Sequence, residues 1–163
     1  MRLIKLAIIS FFFLFGVITL ISLLIPSQVR ISKAIDLTSD GDNVLALVGD
    51  KEKWPLWHPA YEPTNDSIYN SWIQHTSWKK ITQNDSVVIV ELQPEGKSPI
   101  INGWKLYRHN HSTSTTPETL QWYMDFKLSW YPWQKFSSLF YEGTYGKMME
   151  KGLNNLKEHA QMK

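Results

Sequence analysis

The chain has 163 residues, a formal net charge of +2 with histidine neutral, and no cysteine. The missing cysteines exclude disulfides, thiol chemistry and cysteine-ligated zinc or iron–sulfur centres. Charge is nearly balanced and Lys79-Lys80 is the only adjacent basic pair, so no nucleic acid partner is expected.

Eight Trp, seven Tyr and seven Phe mark the composition. Wide, rigid rings fill a core at small entropic cost, and they also line pockets for apolar or ring-bearing ligands. In chain order, the first element is the uncharged run over 6–25, apolar on every side and as long as a helix that crosses a hydrocarbon core. Arg2 and Lys5 precede it, Pro26-Ser27-Gln28 ends it, and no small-residue cleavage signature follows. A retained single-pass anchor over 1–27 is expected, leading into one domain over 28–163. A basic start before a short anchor places the N-terminus in the cytoplasm and the domain on the outer side.

Val29, Ile31, Ile35 and Leu37 share one face of a first strand, which Lys33 interrupts. Ser39-Asp40-Gly41-Asp42 offers N-cap chemistry for a short helix over 43–48; Thr38 and Leu47 stand where a calcium loop would need oxygen ligands. In Lys53-Trp54-Pro55-Leu56-Trp57-His58-Pro59 the prolines forbid a long helix and both Trp can point inward. Strands follow over 68–75 and 77–81, then over 86–93, the last predicted to be buried on both faces apart from Glu91. Residues 100–111 form a strand with Trp104 and Leu106 on one face, and Lys105, Tyr107, His109 and His111 on the other. From Thr119 to Trp130, Leu120, Trp122, Met124, Phe126, Leu128 and Trp130 alternate with polar residues, the pattern of a sheet with one wet side. Tyr131-Pro132 then opens a C-terminal helix over 133–162 with two apolar stripes. Phe136, Leu139, Phe140 and Gly143 make the first. Tyr145, Met149, Gly152, Leu153, Leu156 and Ala160 make the second, rotated by roughly half a turn, and a bend near Gly143 and Gly146 would absorb the mismatch.

This order of elements resembles the SRPBCC superfamily, which includes START lipid-transfer domains and polyketide cyclases, and in particular its bacterial members with an N-terminal anchor. The resemblance rests on Ile25-Pro26-Ser27 running into the first strand, on Trp54-Pro55-Leu56-Trp57-His58-Pro59, and on the tail from Tyr131-Pro132-Trp133 through Met149–Lys157. It implies an α+β helix-grip fold, in which a curved antiparallel sheet wraps a long C-terminal helix around a cavity for a hydrophobic ligand. It also implies a bacterial membrane-anchored protein, and with the orientation expected from the basic start of the anchor the domain would face the periplasm from the inner membrane.

The residues expected to hold a ligand are Trp54, Trp57, Trp104, Trp122, Met124, Phe126, Met149, Gly152, Leu153 and Leu156. Met adapts to varied apolar shapes and Gly152 leaves room beneath the sheet, although ordinary packing explains the same residues. His109-x-His111, with His75 or Glu91 as a third ligand, is the nearest approach to a metal motif, and a solvated strand face is the preferred reading; no metal or cofactor is expected. No G-x-S-x-G elbow is present, so no nucleophile is assigned. Glu91, Asp125, Arg108 and His58 are the acid–base candidates, with Asp125 assigned to the wet face by its alternation. The leading expectation is a membrane-tethered binding protein for a lipid-like or aromatic small molecule. The alternatives are an enzyme of the cyclase/dehydratase kind and a non-catalytic protein-interaction module.

Overall fold

A computed structural model describes residues 2–37, 41–62, 76–108 and 118–161. Helix α1 covers Arg2–Leu23 and is long and apolar enough to cross a membrane. Strand β1 (Gln28–Leu37) leads to the short helix α2 (Gly41–Val48) and to two 3-10 turns, Lys51–Leu56 and Pro59–Tyr61. Strands β2 (Thr76–Gln83), β3 (Val87–Pro94), β4 (Ile100–Tyr107) and β5 (Glu118–Lys127) follow. Helix α3 (Pro132–Ser138), a π turn (Glu142–Gly146) and helix α4 (Lys147–Gln161) complete the chain. The strands form one antiparallel sheet in the order β1-β5-β4-β3-β2, an α+β architecture closed by α4 on its inner face.

Period-two patterning sets the faces. On β5, Leu120, Trp122, Met124 and Phe126 are buried, while Gln121, Tyr123 and Asp125 look outward. Arg30 pairs in register with Asp125, binds it bidentately at 2.6 and 2.7 Å, and stacks over Tyr123. Lys33, the break in the apolar face of β1, sits on an edge strand and reaches across to Glu142 at 2.7 Å and Glu150 at 2.8 Å. These two carboxylates hydrogen-bond its ammonium and raise its pKa above the ordinary lysine value.

Three expectations change. Strand β3 is not buried on both faces: Val88, Val90 and Leu92 are buried, whereas Val87, Ile89 and Glu91 are only half-buried on the outer side. The last strand ends at Lys127: the Leu128 N–H still donates to the Ser27 carbonyl at 2.8 Å beside β1, and the chain then turns into Pro132, with Trp130 exposed. The break between the two C-terminal stripes is the π turn at Gly143 and Gly146, but the first stripe does not face the sheet. The buried residues of α3 are Pro132, Lys135 and Ser138, with Leu139 and Phe140 exposed just beyond it. The expected strand over 68–75, the cap residues Ser39 and Asp40, and His75, His109 and His111 lie outside the described residues.

The strand registers define two ends of the sheet. Gln28, Thr76, Pro94, Ile100 and Lys127 lie at the end beside α1, and Leu37, Gln83, Val87, Tyr107 and Glu118 at the far end.

Candidate functional site

The Trp54–Pro59 segment builds the centre of the core. Asp50 caps the first 3-10 turn by accepting the Glu52 N–H at 3.1 Å, and Trp54 Nε1 donates to the Val48 carbonyl at 2.9 Å. The ring of His58 stacks on Trp54 at 5.3 Å with an interplanar angle of 7°, while Trp57 packs edge-on against Trp54, Trp104 and Trp122. Trp104 and Trp122, partners across β4 and β5, stack at 5.5 Å. The closing helix holds this cluster from below: Asn155 Nδ2 donates to the Trp57 carbonyl at 2.9 Å, and Lys151 pairs with Glu62.

This packing accounts for Gly152. A methyl group there would meet the Trp122 ring at 2.7 Å and Pro59 at 3.1 Å, so the space it leaves beneath the sheet is taken by the indole. Met149, Leu153 and Leu156 are buried in the same core, as are Trp54, Trp57, Trp104, Trp122 and Met124. The structure therefore brings nine of the ten expected ligand residues into the ring core and the helix–sheet seam.

The tenth, Phe126, opens on a space of a different kind. At the end of the sheet beside α1, a cavity of about 560 Å³ lies between the start of β4, the end of β5 and the segment running from α3 into the π turn. Its floor is the buried pair Ile100 and Phe126, which face each other across β4 and β5. Half-buried Leu128, Tyr141 and Tyr145 make the walls, and exposed Lys97, Ser98 and Lys127 form a polar rim. Tyr141 and Tyr145 each sit 4.8 Å from the Phe126 ring, held there by the π turn between them. Gln134 accepts the Ser129 N–H at 2.9 Å and fixes the wall beside α3. A second cavity of about 480 Å³ lies on the outer side of the same strand ends, bordered by Arg30, Glu91, Ile101 and Asp125.

Of the residues lining this cavity, Leu128 shares the inward strand face expected from the sequence, whereas Ile100, Tyr141 and Tyr145 were not among the expected ligand residues. Tyr145 belonged to a recognised stripe and Leu128 to a recognised strand face, but no periodicity announces a π turn that aims two tyrosines at one strand end.

The acid–base candidates are engaged elsewhere. His58 is 2 % exposed, and its Nδ1 accepts the Ala60 N–H at 3.2 Å. Burial lowers its pKa to about 3, so it is neutral at pH 7. Arg108, at the far end of the sheet, pairs with Asp42 and Glu118. Asp125 is held by Arg30 on the wet face, and Glu91 borders the second cavity. Trp122 Nε1 donates to Asn102 Oδ1 at 2.6 Å. Four buried donors, Trp57 Nε1, Trp78 Nε1, Trp104 Nε1 and Asn102 Nδ2, have no hydrogen-bond partner among the described residues. All four are N–H groups, so an acceptor is the chemistry they lack.

No protein-family model matches the sequence, and no curated protein matches it. Solved structures do match in shape. StfQ, a di-domain ARO/CYC from the steffimycin biosynthetic pathway, superposes with a TM-score of 0.60 at 11% identity over 83% of this chain and 52% of its own. The chain thus spans about half the length of that protein. A START superfamily protein from Mycobacterium smegmatis matches with a TM-score of 0.50 at 15% identity, over 82% of this chain and 97% of its own. The chain has a START-like helix-grip fold. A norcoclaurine synthase from Thalictrum shares it, with a TM-score of 0.53 at 9% identity over 81% of this chain and 96% of its own. At such identities the fold is shared while pocket residues are free to differ, so a site on this helix-grip frame is read from its own side chains.

Proposed function

We propose that residues 1–27 anchor the chain in a membrane and that residues 28–163 form a domain binding a hydrophobic small molecule, lipid-like or aromatic. The observation that carries this reading is the cavity of about 560 Å³ with its floor of Ile100 and Phe126 and its polar rim. Ligand sites of a few hundred Å³ join apolar contact to polar groups that orient the guest; here Ile100 and Phe126 supply the apolar floor, and polar groups such as Lys97, Ser98, Lys127 and Gln134 share the lining. The helix-grip frame supports the reading, since the matched START-like and cyclase structures share it.

The basic start and uncharged run over 6–25 support an outer-side domain, periplasmic in a bacterial inner membrane. The reading is one of binding: His58, Arg108 and Asp125 are held in structural contacts away from the floor of this cavity, and Glu91 borders the second cavity on the outer side of the sheet.

Native mass spectrometry of the full chain released from detergent micelles tests the proposal. A co-purifying apolar molecule is expected, and Leu128→Trp, which puts an indole into the cavity wall, should abolish it while the far-ultraviolet circular dichroism and the denaturation midpoint stay unchanged. Equal ligand occupancy in the wild type and Leu128→Trp would sink the assignment of this cavity.

A further inference from the structure

The segment around α3 carries large apolar side chains that the core does not use. Trp130 is 63%, Trp133 61%, Leu139 63% and Phe140 73% exposed. Trp130 and Tyr131 lie 4.7 Å apart, and Tyr131 stacks on Trp133 at 4.8 Å, so the three rings make one slab rather than scattered surface residues. A continuous apolar patch of this kind marks a contact surface.

Its position says which contact. Lys135, only 4% exposed, turns inward from α3 and donates to the Ile25 carbonyl at 2.7 Å and to Ser27 Oγ at 3.4 Å. Its cation thereby sits at the carbonyl end of α1, where the helix dipole favours positive charge. The Leu128 N–H on the Ser27 carbonyl adds a second tie, so α3 is clamped to the foot of α1. While Pro132, Lys135 and Ser138 face that junction, the opposite side of the segment presents Trp133 and Phe140.

We infer that the Trp130–Tyr131–Trp133 slab, with Leu139 and Phe140, lies in the headgroup–acyl boundary of the same bilayer that α1 crosses. This rests on the anchor reading above and adds a second membrane contact, which sets the orientation of the domain. Trp and Tyr rings belong at that depth, where one part of the ring is dry and its polar atom is wet. Apolar side chains of a surface segment bury shallowly there, beside lysines whose stems lie along the apolar surface while their ammonium groups meet phosphates. Lys97 and Lys127, exposed on the rim of the cavity at this end of the sheet, suit that role. The consequence is that the cavity, walled partly by Gln134 of α3, borders the lipid surface, so that an apolar guest can reach it without crossing bulk water.

The absence of cysteine makes the test direct, because one introduced thiol takes the label alone. The full chain is reconstituted into phosphatidylcholine–phosphatidylglycerol vesicles carrying lipids spin-labelled near the headgroup or deep in the acyl chain. Bimane is attached at Phe12→Cys in α1, at Leu139→Cys, or at Asp85→Cys in the β2–β3 turn at the far end of the sheet. The expected result is deep quenching at Phe12, shallow quenching at Leu139 and none at Asp85. Quenching at Phe12 with none at Leu139 overturns the inference and leaves the anchor standing. A blue-shifted but unquenched label at Leu139 overturns it in favour of a second protein chain on the slab. Without quenching at Phe12, the anchor and the inference fall together.

Discussion

Two aromatic clusters of similar composition meet opposite ends in this molecule. Trp54, Trp57, Trp104 and Trp122, with His58 among them, are at most 2% exposed and pack ring to ring in the core. Trp130, Tyr131 and Trp133 stack just as closely, yet two of the three are more than 60% exposed. The difference lies in what each cluster has on its open side. The first is enclosed by β4, β5 and α4, and it accounts for rigidity. The second borders α1, and its open side has no protein to cover it among the described residues. Aromatic content therefore does not distinguish a core from a contact surface; the neighbouring element does.

The largest expected separation between the clusters is in stability. Trp122→Ala removes the indole that touches Trp57, Trp104 and Gly152, and should cost ~3–5 kcal/mol in chemical denaturation of the detergent-solubilised chain. A loss below ~1 kcal/mol would mean that the inner cluster is loosely packed after all.

The inner cluster should also carry a pH signature. His58 keeps a folded-state pKa of about 3 against an ordinary value of 6.5, so its contribution is fully present above 6.5 and is lost as pH falls toward 3. As the unfolded chain takes up the proton that the folded one refuses, stability should fall by up to ~1.4 kcal/mol per pH unit between roughly 6 and 4. Denaturation midpoints across that range check it, with His58→Phe expected to flatten the slope.

Gly152→Ala is a finer probe of the same contact. Its methyl would press on the Trp122 ring and should destabilise by ~1–3 kcal/mol, measured as a lowered denaturation midpoint. The smallest effect belongs to the outer cluster. Trp133→Ser should change stability by less than ~0.5 kcal/mol, because its side chain leaves no cavity behind. It should still weaken the shallow lipid quenching at Leu139, a readout that folding alone does not move.

Local chemistry was enough for much of the frame. The alternation on β5 assigned Trp122, Met124 and Phe126 to one face and Asp125 to the other, because side chains of a strand must point to opposite sides in turn. Length and apolarity alone marked α1, and Gly143 with Gly146 marked the break before α4. Patterning failed for β3, where half-buried outer-face Val87 and Ile89 read the same as core residues.

What the sequence determined by itself was the anchor-length helix, the period-two faces and the stripe that closes α4, all properties of neighbours along the chain. Only the tertiary structure decided which spaces between those elements are filled. The Trp122 indole occupies the room beside Gly152, so the cavity lies at the strand ends against Tyr141 and Tyr145. The same holds for the first C-terminal stripe, which turns outward because Lys135 turns in to the carbonyl of Ile25. Volume and neighbourhood are three-dimensional quantities, and residues far apart in the chain settle them.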